Sequence, residues 1–132
     1  MDYKNSKFIS IDCSKSGIRN SDSTQWVNIQ NDIKNAKADN IFIVMNNSLD
    51  NFSDNDEVSF WIDMLCDLRR EFNKNIWVLH YGIYTDYSME RGIKYLGINN
   101  ATNIDEIPNN TNYILITVNG KNLSYEIKNI FK

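Results

Sequence analysis

Apolar and polar positions alternate through residues 7–13, "KFISIDC", the period-two signature of a strand with one wetter face. A loop, "SKSGIRNSDS", follows, and its serines and aspartate at 21–23 supply helix-capping side chains. Trp26, Ile29, Ile33 and Ala36 then recur at helical spacing and predict an amphipathic helix to about Ala38. "NIFIVM" predicts a second strand, apolar on both faces. Ser53 with Asp56 three residues on reads as a capping box for a second helix. Val58, Trp61, Ile62, Leu65, Leu68 and Phe72 form the buried stripe of that helix. "NIWVLHYG" is the third strand, again continuously apolar.

The order β-α-β-α-β predicts an α/β fold with a parallel core joined by right-handed crossovers. Beyond residue 84 the rhythm changes. "TDYSMERGIKYLGI" predicts two strands about a turn at Glu90 to Gly92, and the last segment predicts a hairpin turning at Asn119-Gly120. The expected tail is therefore a set of antiparallel C-terminal hairpins within one domain, 1–132. Strands that are apolar throughout need cover on both faces. Two successive right-handed crossovers put both helices on one face, so the other must be covered by the hairpins, by a neighbouring domain of a larger protein, or by a second copy in a homodimer.

Composition narrows the partners. Hydrophobic residues make up 42% of the 132, charged residues 23%, and the net charge is −3. With lysines and arginines scattered, these values predict no nucleic-acid interface. No apolar run reaches the ~20 residues of a membrane helix, and the polar start "MDYKNSKF" predicts no signal peptide within this chain. Two cysteines and one histidine provide no zinc-type spacing. The excess of asparagine and lysine is assigned to genome base composition rather than to chemistry.

In α/β proteins reactive side chains gather where strands end. Here the second strand runs into Asn46 and Asn47, amides that do not titrate at neutral pH. The cleft expected at these strand ends collects Asn46, Asn47, Asp50, His80, Tyr84 and Asp86 as binding residues. A separate pattern is Cys13 and Arg19, the C-x5-R spacing of cysteine-dependent phosphatases, in which a thiolate attacks phosphorus while loop amides and an arginine fork hold the oxygens. Asp12 beside Cys13 works against it by raising the thiol pKa. The alternative is a small buried cysteine closing a strand, with Arg19 bracing a loop.

Ser14-Lys15, Gly17-Ile18-Arg19, Ser21-Asp22 and Gln25-Trp26, followed by the apolar strand ending in Asn46-Asn47, resemble the second half of calcineurin-like metallophosphoesterases, in a version found in bacterial proteins that also carry a phosphodiester glycosidase domain. "VLHYGIYTDYSMERGIKYLGI" resembles the segment that in active members carries Gly-His-x-His. The resemblance covers most of residues 7–98. It implies half of a metallophosphoesterase-like sandwich, a two-metal hydrolase chemistry, and an envelope or secreted parent protein. The ligand histidines of the family fall on Asn46 or Asn47 and on Gly82 and Tyr84, while His80 lies two residues early. The expectation is a catalytically degenerate domain with no cofactor, having a structural or binding role. Residual phosphoesterase activity would need a divalent metal with ligands from a second chain or partner.

Overall fold

The structure, a computed structural model, describes residues 2–82, 86–99, 112–120 and 122–129. Six strands form one sheet: β1 (Asp2–Tyr3), β2 (Ser6–Ile11), β3 (Asn40–Met45), β4 (Asn75–Gly82), β5 (Asp86–Glu90) and β6 (Ile93–Asn99), in the order β1-β2-β3-β4-β6-β5. Strands β2, β3, β4 and β6 are parallel; β1 and β5 are antiparallel edges. A separate two-stranded hairpin pairs β7 (Asn112–Asn119) with β8 (Asn122–Asn129). The helices are α1 (Ile18–Ser21), α2 (Gln25–Asn35) and α3 (Asn55–Phe72), with a 3-10 turn at Leu49–Asn51.

The α/β class and the parallel β2-β3-β4 core follow the hydrophobic pattern. The tail is antiparallel only in part. β5 and β6 pair antiparallel about their turn as expected, but β6 also joins the main sheet beside β4 and runs parallel to it, Leu79 opposite Leu96. The turn itself falls where expected, Arg91 and Gly92 both having positive φ. In the second hairpin Asn119 pairs with Asn122, and Gly120 has φ 62, a left-handed value that favours glycine.

Helix boundaries shift for local reasons. Ser53 does not cap α3, because its N–H and its hydroxyl both donate to the Ser16 carbonyl, at 2.9 and 3.3 Å. Asp54 caps instead, accepting from the N–H groups of Asp56 and Glu57. Asn73, in the left-handed conformation, ends the helix. Helix α2 stops at Asn35, three residues early; beyond it the ammonium of Lys74 donates to the carbonyls of Ala36 and Ala38, at 2.9 and 2.6 Å.

Alternation along the strands separates two layers. Ile9, Ile11, Ile41, Ile43, Met45, Ile76, Val78, Ile93 and Tyr95 face the helices and form one core with Ile29, Ile33, Trp61 and Leu65. Phe42, Trp77 and Leu96 face the other way, where Ile116, Leu123 and Tyr125 of the hairpin pack against them. The chain thus covers part of its own second face. Tyr125 stands edge-on to Trp77, with ring centroids 5.7 Å apart, and stacks on Tyr87 at 5.6 Å.

At the start of the strands a row of amides ties the layers together. Lys94 Nζ donates to Asn75 Oδ1 at 3.0 Å, Asn75 Nδ2 to Asn40 Oδ1 at 3.1 Å, and Asn40 Nδ2 to the carbonyls of Asn5 and Gly120, at 3.1 and 2.9 Å. Asn40 is fully buried, and this satisfies its amide.

Candidate functional site: a cleft at the strand ends

The C-terminal ends of β3 and β4, the 3-10 turn, the start of α3 and the β5 edge enclose a cleft of about 220 Å³. Register explains its floor. Met45 is opposite His80, and Ser88 is opposite Tyr95, so these side chains share the helix-facing side of the sheet. Met45, Val78 and Tyr95 form an apolar base, with Val58 and Ile62 of α3 as a wall. Asn47, Ser48, Asp50, His80, Ser88 and Glu90 supply the polar rim.

The cleft brings together Asn47, Asp50 and His80 of the six expected binding residues. Asn46 is turned elsewhere: its Oδ1 accepts the Cys13 N–H at 2.7 Å and its Nδ2 donates to Asp12 at 3.2 Å, a strap between the ends of β2 and β3. Asp86 is placed through its backbone, opposite Gly97, and Tyr84 lies outside the described residues. Sequence reasoning missed Ser88, Glu90 and Tyr95. The alternating pattern of β5 could have shown Ser88 and Glu90 on one face, but not that this face meets a cleft.

The rim is already partly organised. Asn47 Oδ1 accepts from the Ser48 N–H at 2.9 Å and from Asn51 Nδ2 at 2.6 Å, and the Ser48 hydroxyl accepts the Asp50 N–H at 3.3 Å. His80 Nδ1 lies 3.2 Å from the Tyr81 carbonyl. Burial pushes the Tyr95 phenol up to about 12, the Glu90 charge adding to this and the nearby Trp61 indole opposing it. The phenol therefore stays protonated at neutral pH. Among the described residues the lining includes Asp50 and Glu90 but neither lysine nor arginine, which makes it electronegative.

The two metal ions implied by the resemblance do not fit these donors. Asn46 has both amide atoms engaged, Asn47 Oδ1 already accepts twice, and among the described residues no three His, Cys, Asp or Glu side chains converge to hold a metal ion.

The Cys13–Arg19 loop also departs from its phosphatase reading. Cys13 is fully buried. Desolvation, then the charges of Asp12 and Glu57, push its thiol up to about 12, the reverse of what a nucleophilic thiolate needs. The amides that would cradle a phosphate are taken by the protein's own carboxylate. Glu57, 3% exposed, accepts the N–H groups of Ile18 and Arg19 and the Trp26 indole N–H, each at 3.0 Å. Gln25 completes the clasp, accepting from the Asp12 N–H at 2.7 Å and donating to the carbonyls of Asp12 and Ile18, at 2.9 and 3.2 Å. Residues that carry the resemblance, Gly17 to Arg19 with Gln25-Trp26, thus have a structural job here. Compared with protein-family models, curated proteins and solved structures, the chain matches none of them.

Proposed function

We propose that this chain is a catalytically degenerate, metallophosphoesterase-like domain that binds a hydroxyl-rich, uncharged ligand, a glycan unit, in its strand-end cleft. Its place would be beside a phosphodiester- or glycan-acting hydrolase domain of the same parent protein, holding substrate for it. The observation that carries this reading is the make-up of the cleft: hydrogen-bonding side chains of Asn47, Asp50, His80, Ser88 and Glu90 around an apolar base, with no lysine or arginine among the described residues of the lining. Asp and Glu accept pairs of sugar hydroxyls, while the sugar's C–H face rests on apolar surface. A phosphate would meet two carboxylates and no counter-charge. The volume suits a single ring rather than a drug-sized ligand.

The exposure of Val44 and Tyr81, 37% and 50%, on the second sheet face supports a neighbouring domain or a second copy as its cover.

The test is a titration of the purified chain with neutral monosaccharides, followed by amide and side-chain NMR. Saturable shifts at His80, Asn47 and Ser88, weakened at least five-fold by Asp50→Asn or Glu90→Gln, are expected. Hydrolysis of an aryl phosphate monoester or diester, with manganese or with chelator, is expected to stay at background. Turnover that Asp50→Asn or His80→Gln removes would overturn the degenerate reading; the absence of any saccharide response would overturn the ligand.

A further inference from the structure

At the opposite end of β4 from the strand-end cleft, a recess of about 340 Å³ is lined by Arg69, Lys74, Lys94 and Asp39, with Asn73, Asn75, Met89 and Gly92. Three cations against one carboxylate make it the positive counterpart of the cleft. Arg69 is the unusual member. Its guanidinium lies against Gly92 so closely that a β-carbon there would sit 2.5 Å from Nε and Cζ and 2.7 Å from Nη2. Gly92 also has φ 85, so the turn and the arginine both require glycine. The side chain is held in a fixed place, yet its Nε is buried with no hydrogen-bond partner among the described residues.

The acids of α3 do not serve it. Asp63 is paired with Arg91 and Asp67 with Arg70. Glu71 is two residues further along the helix and faces away. Asp39, the one carboxylate in the lining, accepts from Asn5 Nδ2 at 2.9 Å. A pinned guanidinium whose Nε–H is buried without an acceptor is costly, because that desolvated donor is left unpaired. Lys74 and Lys94 add charge while their own bonds, to Ala36, Ala38 and Asn75, keep them in position. Lys94 is also 5.0 Å from the centroid of the Trp77 ring. The carbonyl end of α3 opposes an anion, but with roughly half a charge against three full ones.

We propose that this recess is a binding site for an oxyanion, a phosphate or carboxylate group, received by the Arg69 fork, with Lys74 and Lys94 in the same lining adding positive charge. A planar guanidinium presents paired donors that match either group. The site is independent of the strand-end cleft: it is roughly 17 Å away along β4, taking five residues at the strand rise, and has the opposite charge.

The experiment uses the full chain, labelled with nitrogen-15, titrated with inorganic phosphate and separately with acetate at constant ionic strength held by chloride. The Arg69 Nε–H resonance and the amides of Asn75, Gly92 and Lys94 are followed. Saturable shifts at these positions, with either or both anions, are expected. A response to phosphate alone assigns a phosphate ligand, to acetate alone a carboxylate, to both the shared oxyanion chemistry. Arg69→Met should weaken binding at least ten-fold and Lys94→Met several-fold. If Arg69→Met does not fold, Lys94→Met carries the test, and unchanged affinity in it overturns the proposal. So does a non-saturable response to both anions, or an equal response of Arg69→Met and the native chain.

Discussion

A β-carbon on Gly17 would lie 2.6 Å from Oε1 of Glu57, so the glycine is there to let a buried carboxylate reach the loop. Glu57 is held by three donors and cannot swing aside as a surface glutamate would. Gly17→Ala is expected to cost about 2 kcal/mol, the usual scale of overpacking. Glu57→Ala, which strands three donors, should cost about 3 kcal/mol. In the double variant the penalty of Gly17→Ala should shrink by about 1 kcal/mol or more. Urea unfolding of the four proteins measures this, and strict additivity would show that the contact is not the cause.

The buried thiol of Cys13 should be inert. With its pKa at about 12 and no exposed surface, it is expected to resist a disulfide reagent at pH 8 in the native chain and to react on unfolding in urea. Fast native labelling of Cys13 would contradict its placement.

Stability should decline on the alkaline side. Cys13 is raised from 9.0 to about 12 and Tyr95 from 10.0 to about 12. Between those limits the folded chain keeps protons that the unfolded chain has released, so unfolding is favoured as pH rises. Below about pH 9 these groups contribute no slope. Urea midpoints at pH 8, 9.5 and 10.5 should fall, and Cys13→Ala should flatten the first part of the decline. A flat profile in the native chain would count against both burials.

The amide row predicts a long-range effect. Asn40→Ala removes the donor to Gly120 and the acceptor for Asn75, and should cost about 2 kcal/mol. Hydrogen exchange should quicken in β7 and β8 as well as at the start of β3. Exchange confined to β3 would mean that the hairpin does not depend on this tie.

Asn46 and Asp50, four residues apart, should behave differently. Asn46→Ala breaks the strap to Cys13 and Asp12 and is expected to cost about 1–2 kcal/mol. It should leave saccharide affinity in the cleft within two-fold. Asp50→Asn, on the exposed rim, should shift stability by less than about 0.5 kcal/mol while weakening that affinity. Thermal melts paired with the titration separate the two, and the reverse pattern would move the site to Asn46.

What was legible in the sequence was whatever burial writes as a pattern. Continuous apolar runs located β3 and β4, helical spacing located α2 and α3, and Asn119-Gly120 located the last turn. Partner choice was not written there: β6 has a strand's sequence whichever way it runs, and only packing beside β4 makes it parallel. By its position in the first turn of α3, Glu57 has the sequence signature of any acid that favours a helix dipole. Its real partner, Ile18, is 39 residues away, beyond any local signal. Asn40 and Asn75 were hidden by abundance, since in a chain rich in asparagine no single one stands out. At the cleft, Asn47, Asp50 and His80 were found because they end strands or follow them, and Glu90 was missed because it reaches the cleft from an edge strand across a hairpin.

The division of the tryptophans between layers gives the chain a built-in clock for its assembly. Trp26 and Trp61 meet edge-on between α2 and α3, among elements that are close in sequence and joined by short crossovers. Trp77 faces the hairpin, and the tie from Asn40 to Gly120 closes a span of 80 residues. Local contacts form before distant ones because long loops are slow to close. In refolding, the Trp26–Trp61 signal should therefore reach its native value before that of Trp77, and single-tryptophan variants would time the two events. Simultaneous arrival would mean that the hairpin docks within the same cooperative step.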